Sequence, residues 1–117
     1  MHEFGLCEGI VDAIRRRAAG RPVARVRVRI GVLHRVVAEA FQYAFAHAAS
    51  GTEAEHAAVD LVILPVRAVC RLCQAEVESD DALIVCPQCG GVALDLIGGD
   101  ELILEWLEYQ DPVARSR

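Results

Sequence analysis

Four of the five cysteines stand in two short pairs, CRLC (Cys70 and Cys73) and CPQC (Cys86 and Cys89), with twelve residues between the pairs. A C-x-x-C turn brings both sulfurs to one side of the backbone, so two such turns at hairpin tips can converge on one tetrahedral ion. Four soft thiolates with no open position describe a structural site rather than a catalytic one. Zn2+ suits them best, and the same donors would also hold iron. Zinc would contribute on the order of 10–16 kcal/mol at neutral pH, so the segment around the cysteines is expected to unfold when chelated.

A second donor set occupies the first three residues, MHE. The α-amine of Met1, the deprotonated amide of His2 and His2 Nδ1 can close adjacent chelate rings on one cation. The Glu3 amide, or an oxygen of its carboxylate, can complete a square plane. Nitrogen-rich tetragonal donors suit Ni2+ or Cu2+, whereas Zn2+ prefers the tetrahedral sulfur site. Histidine at the second position is too large for the usual trimming, so Met1 is expected to stay. Its amine, with a reference pKa of roughly 7.7–8.0, must lose a proton to bind, so affinity is expected to rise steeply near neutral pH.

The elements that position these donors follow from hydrophobic period. From Phe4 to about Ala19, Leu6, Ile10 and Ile14 repeat every fourth residue, with Arg15, Arg16 and Arg17 at the end where cations complement the helix dipole. Gly20 and Pro22 stop this helix. VARVRVRIG then alternates strictly, with Val26, Val28 and Ile30 on one face and Arg25, Arg27 and Arg29 on the other, expected to be the wet face of a half-covered sheet. Residues 35–49 return to a helical period, with Val37, Phe41, Ala44, Phe45 and Ala48 as its core stripe. VDLVILP reads as a short apolar strand closed by Pro65, and DELILEWLEY as a last strand that rejoins the first sheet. The expected fold is α+β, a small sheet covered by two helices, with an inserted zinc-ribbon module. The expected division is a discontinuous domain at 1–66 and 98–111, a zinc ribbon at 67–97, and a flexible tail at 112–117.

Composition excludes several classes. The 117 residues are 54% hydrophobic and 25% charged, with a formal net charge of −5, and no apolar run is long enough to span a membrane. The first residues lack the basic and apolar regions of a secretory leader, which points to the cytoplasm and to thiols rather than disulfides. Net acidity, deepened by a four-thiolate centre, disfavours a phosphate backbone as partner. No Ser-His-Asp order, Walker loop or glycine-rich phosphate cradle is present, so no enzymatic activity is expected. Cys7 reads as a buried packing thiol, His34, His47 and His56 follow no ligand spacing, and Glu8 with Asp12 reads as a solvated helix face. The rival reading is an acidic zinc-ribbon protein that binds nucleic acid through Arg25, Arg27 and Arg29, or a structural adaptor.

Taken together, MHE followed by EGIVDAI, RVRVRIGVL, EAFQYAFAHAASGT, CRLC, CPQCGG and GGDELILEWLE resembles the HypA/HybF family of nickel metallochaperones over nearly the whole chain. The resemblance implies weak, transient Ni2+ binding at His2, with Met1 and Glu3 beside it, and structural Zn2+ at Cys70, Cys73, Cys86 and Cys89. It further implies delivery of nickel to the [NiFe]-hydrogenase large-subunit precursor together with a HypB-type GTPase, some members also serving urease. Gln74 stands where a glycine often follows the first knuckle, and His34 where a small residue is common; neither is among the implied ligands.

Overall fold

The computed structural model describes residues 2–81 and 85–110. Met1, an expected nickel ligand, and the expected tail at 112–117 lie outside the described residues. Helix α1 (His2–Ala18) starts earlier than its apolar period suggests, at the second residue of the chain. Glu3, Cys7, Ile10, Val11, Ile14 and Ala18 form its buried side. It ends where Ala19 (φ 51) and Gly20 (φ 91) turn left-handed, a conformation glycine adopts at no steric cost. Glu53 fastens this end, its carboxylate accepting Arg15 Nε at 3.0 Å and the Gly20 N–H at 3.1 Å.

Strand β1 (Val23–Gly31) buries Val26, Val28 and Ile30 completely, as alternation requires. Its opposite face is only partly wet. Arg27 is tied to Asp60 through Nε at 2.8 Å and Nη2 at 2.7 Å, and its guanidinium lies 5.3 Å from the ring centre of Trp106. The second helix is shorter than the pattern at 35–49 suggests. A 3-10 turn spans Val32–His34, Arg35 takes a left-handed conformation (φ 55), and α2 (Ala38–Ala49) begins after Val37, its extended N-cap. Val37 is therefore 60% exposed rather than part of the core stripe, while Phe41, Ala44, Phe45 and Ala49 are buried.

Strand β2 (Ala58–Leu64) is half-buried along most of its length, and β3 (Val66–Cys70) follows across Pro65. β4 (Glu76–Ser79), β5 (Leu94–Gly98) and β6 (Leu102–Tyr109) complete the strands. They form two three-stranded sheets, in the orders β2-β1-β6 and β4-β3-β5. The last strand thus returns to the side of β1. The helices tie to the first sheet through Gln42 Nε2, which donates to the Val59 carbonyl at 3.2 Å, and Arg17 Nη1, which donates to the Leu104 carbonyl at 3.3 Å. This is the α+β architecture expected: two helices with a small sheet, and a cysteine-bearing ribbon that follows β2 and precedes β6 in the chain order. No helix among the described residues is long and apolar enough to cross a membrane.

The chain divides into two compact units, one of Met1–Val28, Val36–Leu61 and the chain from Leu104, the other of Arg29–Arg35 and Val62–Ile103. Three of the four points of division fall inside β1, β2 and β6, and the fourth follows Arg35. In the second unit, β3 pairs antiparallel with β4 and with β5, and an irregularity at Arg67/Ala68 shifts the register with β5. The turn after β5 is packed backbone against backbone. Gly31 donates to the Glu101 carbonyl at 2.8 Å, Leu33 to the Gly99 carbonyl at 2.9 Å, and a Cβ on Gly31 would fall on the Gly99 carbonyl group. Gly99 itself has φ +119, and the Cα of Val66 would stand 2.9 Å from its added Cβ. Gly31→Ala is therefore expected to destabilise the folded protein by about 3 kcal/mol or more, because rigid backbone must move to admit one methyl group. Thermal unfolding of the zinc-loaded variant, followed by circular dichroism, measures it; an unchanged midpoint would count against this packing.

Candidate metal centres

The two cysteine knuckles are built alike. In the first, the Gln74 N–H closes on the Cys70 carbonyl at 2.8 Å, and the Cys70 N–H donates to the Ala75 carbonyl at 2.9 Å. In the second, the Gly90 N–H closes on the Cys86 carbonyl at 2.8 Å, and the Cys86 N–H donates to the Gly91 carbonyl at 2.9 Å. The residue that closes each loop is left-handed, with φ 67 at Gln74 and φ 77 at Gly90. Gly90 adopts this freely, whereas Gln74 does so against its Cβ, with its side-chain Nε2 donating to the Arg71 carbonyl at 3.2 Å.

These turns bring Cys70, Cys73, Cys86 and Cys89 together, every sulfur within 4.8 Å of the others. The Cys70–Cys89 and Cys73–Cys86 sulfur distances are 3.7 and 3.6 Å. Sulfurs on a tetrahedron with Zn–S near 2.3 Å stand about 3.8 Å apart, so the quartet fits one zinc ion with no vacant position. Cys70 and Cys86 are buried, with Val77 beside them and Ala75 and Leu94 packed around. Side chains alone supply little core here, as the composition of the segment implies. An added Cβ on Gly91 would lie 2.7 Å from Leu72 Cδ1 and 3.3 Å from Cys89 Sγ, so this glycine lets the second knuckle close under the first.

Electrostatics within the quartet is uneven. Donation from the Cys73 N–H, and then from the Leu72 N–H, holds the Cys70 thiol down to about 7 against the effect of burial. Cys73 receives the Ala75 N–H, yet burial and the thiols of Cys86, Cys70 and Cys89 push it up to about 12. Cys89 receives the Gly91 N–H but is also raised, by Cys70 first and then by burial. Without metal the centre therefore holds protons at neutral pH, and an incoming ion must displace them.

At the other donor set, His2 and Glu3 occupy the first turn of α1. The His2 side chain is 52% exposed, and its Nδ1 stands 3.6 Å from Glu3 Oε1. Glu3 is buried, and its Oε2 accepts the Val37 N–H at 3.2 Å. That donation, followed by the carboxylate's bond to its own N–H, holds the Glu3 carboxyl below the usual range, with His2 adding a smaller effect in the same direction. The contribution of Val37 was invisible in the sequence, because it acts through its backbone and any residue but proline could supply it. Cys7 is fully buried and donates its thiol to the Phe41 carbonyl at 3.6 Å. Burial, and then the charge of Glu3, push this thiol up to about 12, which leaves it a packing group. His47 packs edge-on against Phe4 at 5.4 Å, and His34 Nε2 lies 2.9 Å from the Asp100 carbonyl. Among the described residues, the cysteine quartet is the cluster whose donor atoms are gathered to hold a metal.

A small α+β fold with a closed four-thiol centre defines a metal-handling protein with structural zinc. Comparison with known proteins makes this specific. A family model described as hydrogenase/urease nickel incorporation, metallochaperone, hypA, matches residues 1–109. The chain is 39% identical over 111 residues to hydrogenase maturation factor HypA 2 of Bradyrhizobium diazoefficiens, covering 92% of this chain and 98% of that one. It is 41% identical over 111 residues to hydrogenase maturation factor HypA of Rhodobacter capsulatus, with the same coverage. The solution structure of the Ni metallochaperone HypA from Helicobacter pylori shares the fold, with a TM-score of 0.62 at 22% identity over 92% of this chain and 96% of that one. The chain belongs to the HypA family of nickel metallochaperones, which serve nickel incorporation and are not themselves enzymes.

Two outcomes follow from the sulfur centre. Zinc affinity should fall at least a hundredfold for each unit by which the pH is lowered, because Cys73 and Cys89, both raised, each yield a proton to the ion, and more steeply below about 7 where Cys70 also takes one up. Competition with a chromophoric chelator between pH 6 and 8.5 tests this, and a flat profile would contradict it. Gln74→Gly should relieve the left-handed strain and stabilise the zinc-loaded ribbon by about 1 kcal/mol. Slower zinc loss to excess chelator is the expected readout, and unchanged or faster loss would show that the turn is not strained.

Proposed function

We propose that this protein captures Ni2+ weakly at the Met1 amine, His2 and Glu3 and delivers it to the [NiFe]-hydrogenase large-subunit precursor. The family match over residues 1–109, beginning at the donor-bearing terminus, is the observation that carries this reading. The exposed imidazole of His2 supports it: an ion bound there stays open to exchange, whereas one enclosed by the four cysteines does not. The amides of His2 and Glu3 open a helix, so neither has an i−4 carbonyl to lose when its proton is displaced. Weak binding belongs to the mechanism, since a carrier can release its cargo only if the acceptor binds it better.

In this reading the zinc ribbon, residues 67–97, is structural, and the nickel-binding domain comprises 1–66 and 98–111. A HypB-type GTPase and the hydrogenase precursor are its partners, with urease maturation proteins as further clients, in the cytoplasm. The nucleic-acid reading loses support because Arg27 is held by Asp60 and Trp106 and the chain is acidic. His2→Ala should abolish nickel binding while leaving zinc content near one per chain, counted by elemental analysis after titration of untagged protein. Undiminished nickel affinity in that variant would sink the assignment.

A further inference from the structure

We propose that the Glu3 side chain is a positioning residue for nickel capture, acting through the Val37 backbone amide to hold the first turn of α1 in place, and not a ligand of the ion. The inference rests on the reading of the chain start as the nickel site and refines the part Glu3 plays in it, leaving its backbone as the contributor to the metal.

Glu3 is 6% exposed, a charged side chain taken out of water. A carboxylate out of water must be paired, and Glu3 Oε2 takes the Val37 N–H at 3.2 Å. Val37 is the N-cap of α2. Its side chain has no capping atom, and its carbonyl accepts the first helical bond, from the Phe41 N–H at 2.8 Å. Glu3 thus satisfies the backbone donor at the entrance to α2. One turn further along both helices the arrangement repeats, with the Cys7 thiol on the Phe41 carbonyl at 3.6 Å. Glu3 to Val37 and Cys7 to Phe41 are two rungs, each four residues on from the last, that fasten the start of α1 to the start of α2.

This fastening bears directly on chelation. Chain termini fray, and a chelate formed by the first residues must order them before the ion gains its ligands. His2 and Glu3, already held as helix, have met that cost in folding, so binding does not repeat it for them. Glu3 is buried, with Oε2 taken by the Val37 N–H and Oε1 directed at the His2 imidazole, 3.6 Å from Nδ1, so the carboxylate braces the ring from inside the fold. The imidazole beside it, 52% exposed, is well presented to an ion arriving from solvent.

The test is nickel titration of untagged, zinc-loaded protein by calorimetry, with ligand-field absorption of the nickel complex, for Glu3→Gln, Glu3→Ala, Val37→Pro and His2→Ala. Glutamine keeps a carbonyl oxygen for the Val37 N–H, so its affinity should stay within about threefold of the parent, whereas Glu3→Ala should lose about tenfold. Val37→Pro deletes the donor at a residue that is no ligand, and should match the alanine loss with unshifted absorption bands. Equal losses in Gln and Ala with shifted bands, beside a normal Val37→Pro, would make the carboxylate a ligand and overturn the proposal. If Val37→Pro loses helix by circular dichroism, the Gln and Ala pair decides alone. Retained binding in His2→Ala would instead remove the terminal site itself, a failure of the parent reading that the Glu3 series cannot imitate.

Discussion

Convergence of four sulfurs is the constraint on which the ribbon depends. Its hydrophobic cluster consists of Cys70, Val77 and Cys86 with Ala75 and Leu94 against them, far too little apolar surface to order three short strands and two loops. Two of those buried groups are themselves metal donors. Metal binding and folding are therefore one event here, and the matched backbone bonds of the two knuckles prepare for it by aiming each pair of thiols inward. The protons that the metal-free centre holds set the terms on which zinc enters.

The proposed nickel site has the opposite physical character. Its donors are nitrogen-rich and few, and the His2 imidazole is open to solvent, so exchange is easy. The fold's contribution there is not enclosure but order, since α1 starts at His2 and a buried carboxylate fastens its first turn to α2. On the proposed assignment, a closed sulfur site and an open nitrogen site in one chain of 117 residues would give two metals different lifetimes on the same protein.

Reading from the sequence succeeded where chemistry is local. The C-x-x-C spacing, the alternation of Val26, Val28 and Ile30, and the placement of Phe41 and Phe45 in the core are all consequences of short-range periodicity. It failed at boundaries and across the sheet. Val37 fits the helical stripe by spacing, but the left-handed Arg35 and the 3-10 turn before it delay the helix and leave Val37 outside. Arg27 fits a solvated face by alternation, but the partner that draws it in, Asp60, comes from a strand 33 residues away. Gln74 was visible as a departure from glycine, while its physical cost, a left-handed backbone carrying a Cβ, arises only in the folded turn.

By itself the sequence determined the donor types, their spacing and hence the metals they suit, because ligand chemistry and turn geometry are written within a few residues. It also determined which faces of α1 and β1 are apolar. Only the tertiary structure decided that Glu3 is buried with Val37 for its partner, that the Cys7 thiol, read as buried from its helix face, meets the Phe41 carbonyl, and that Gly31 must be glycine because Gly99 lies against it. Each of these joins residues more than thirty positions apart, and the partner contributes backbone atoms common to almost every residue, so nothing in the identity of Val37, Phe41 or Gly99 could announce the contact in advance.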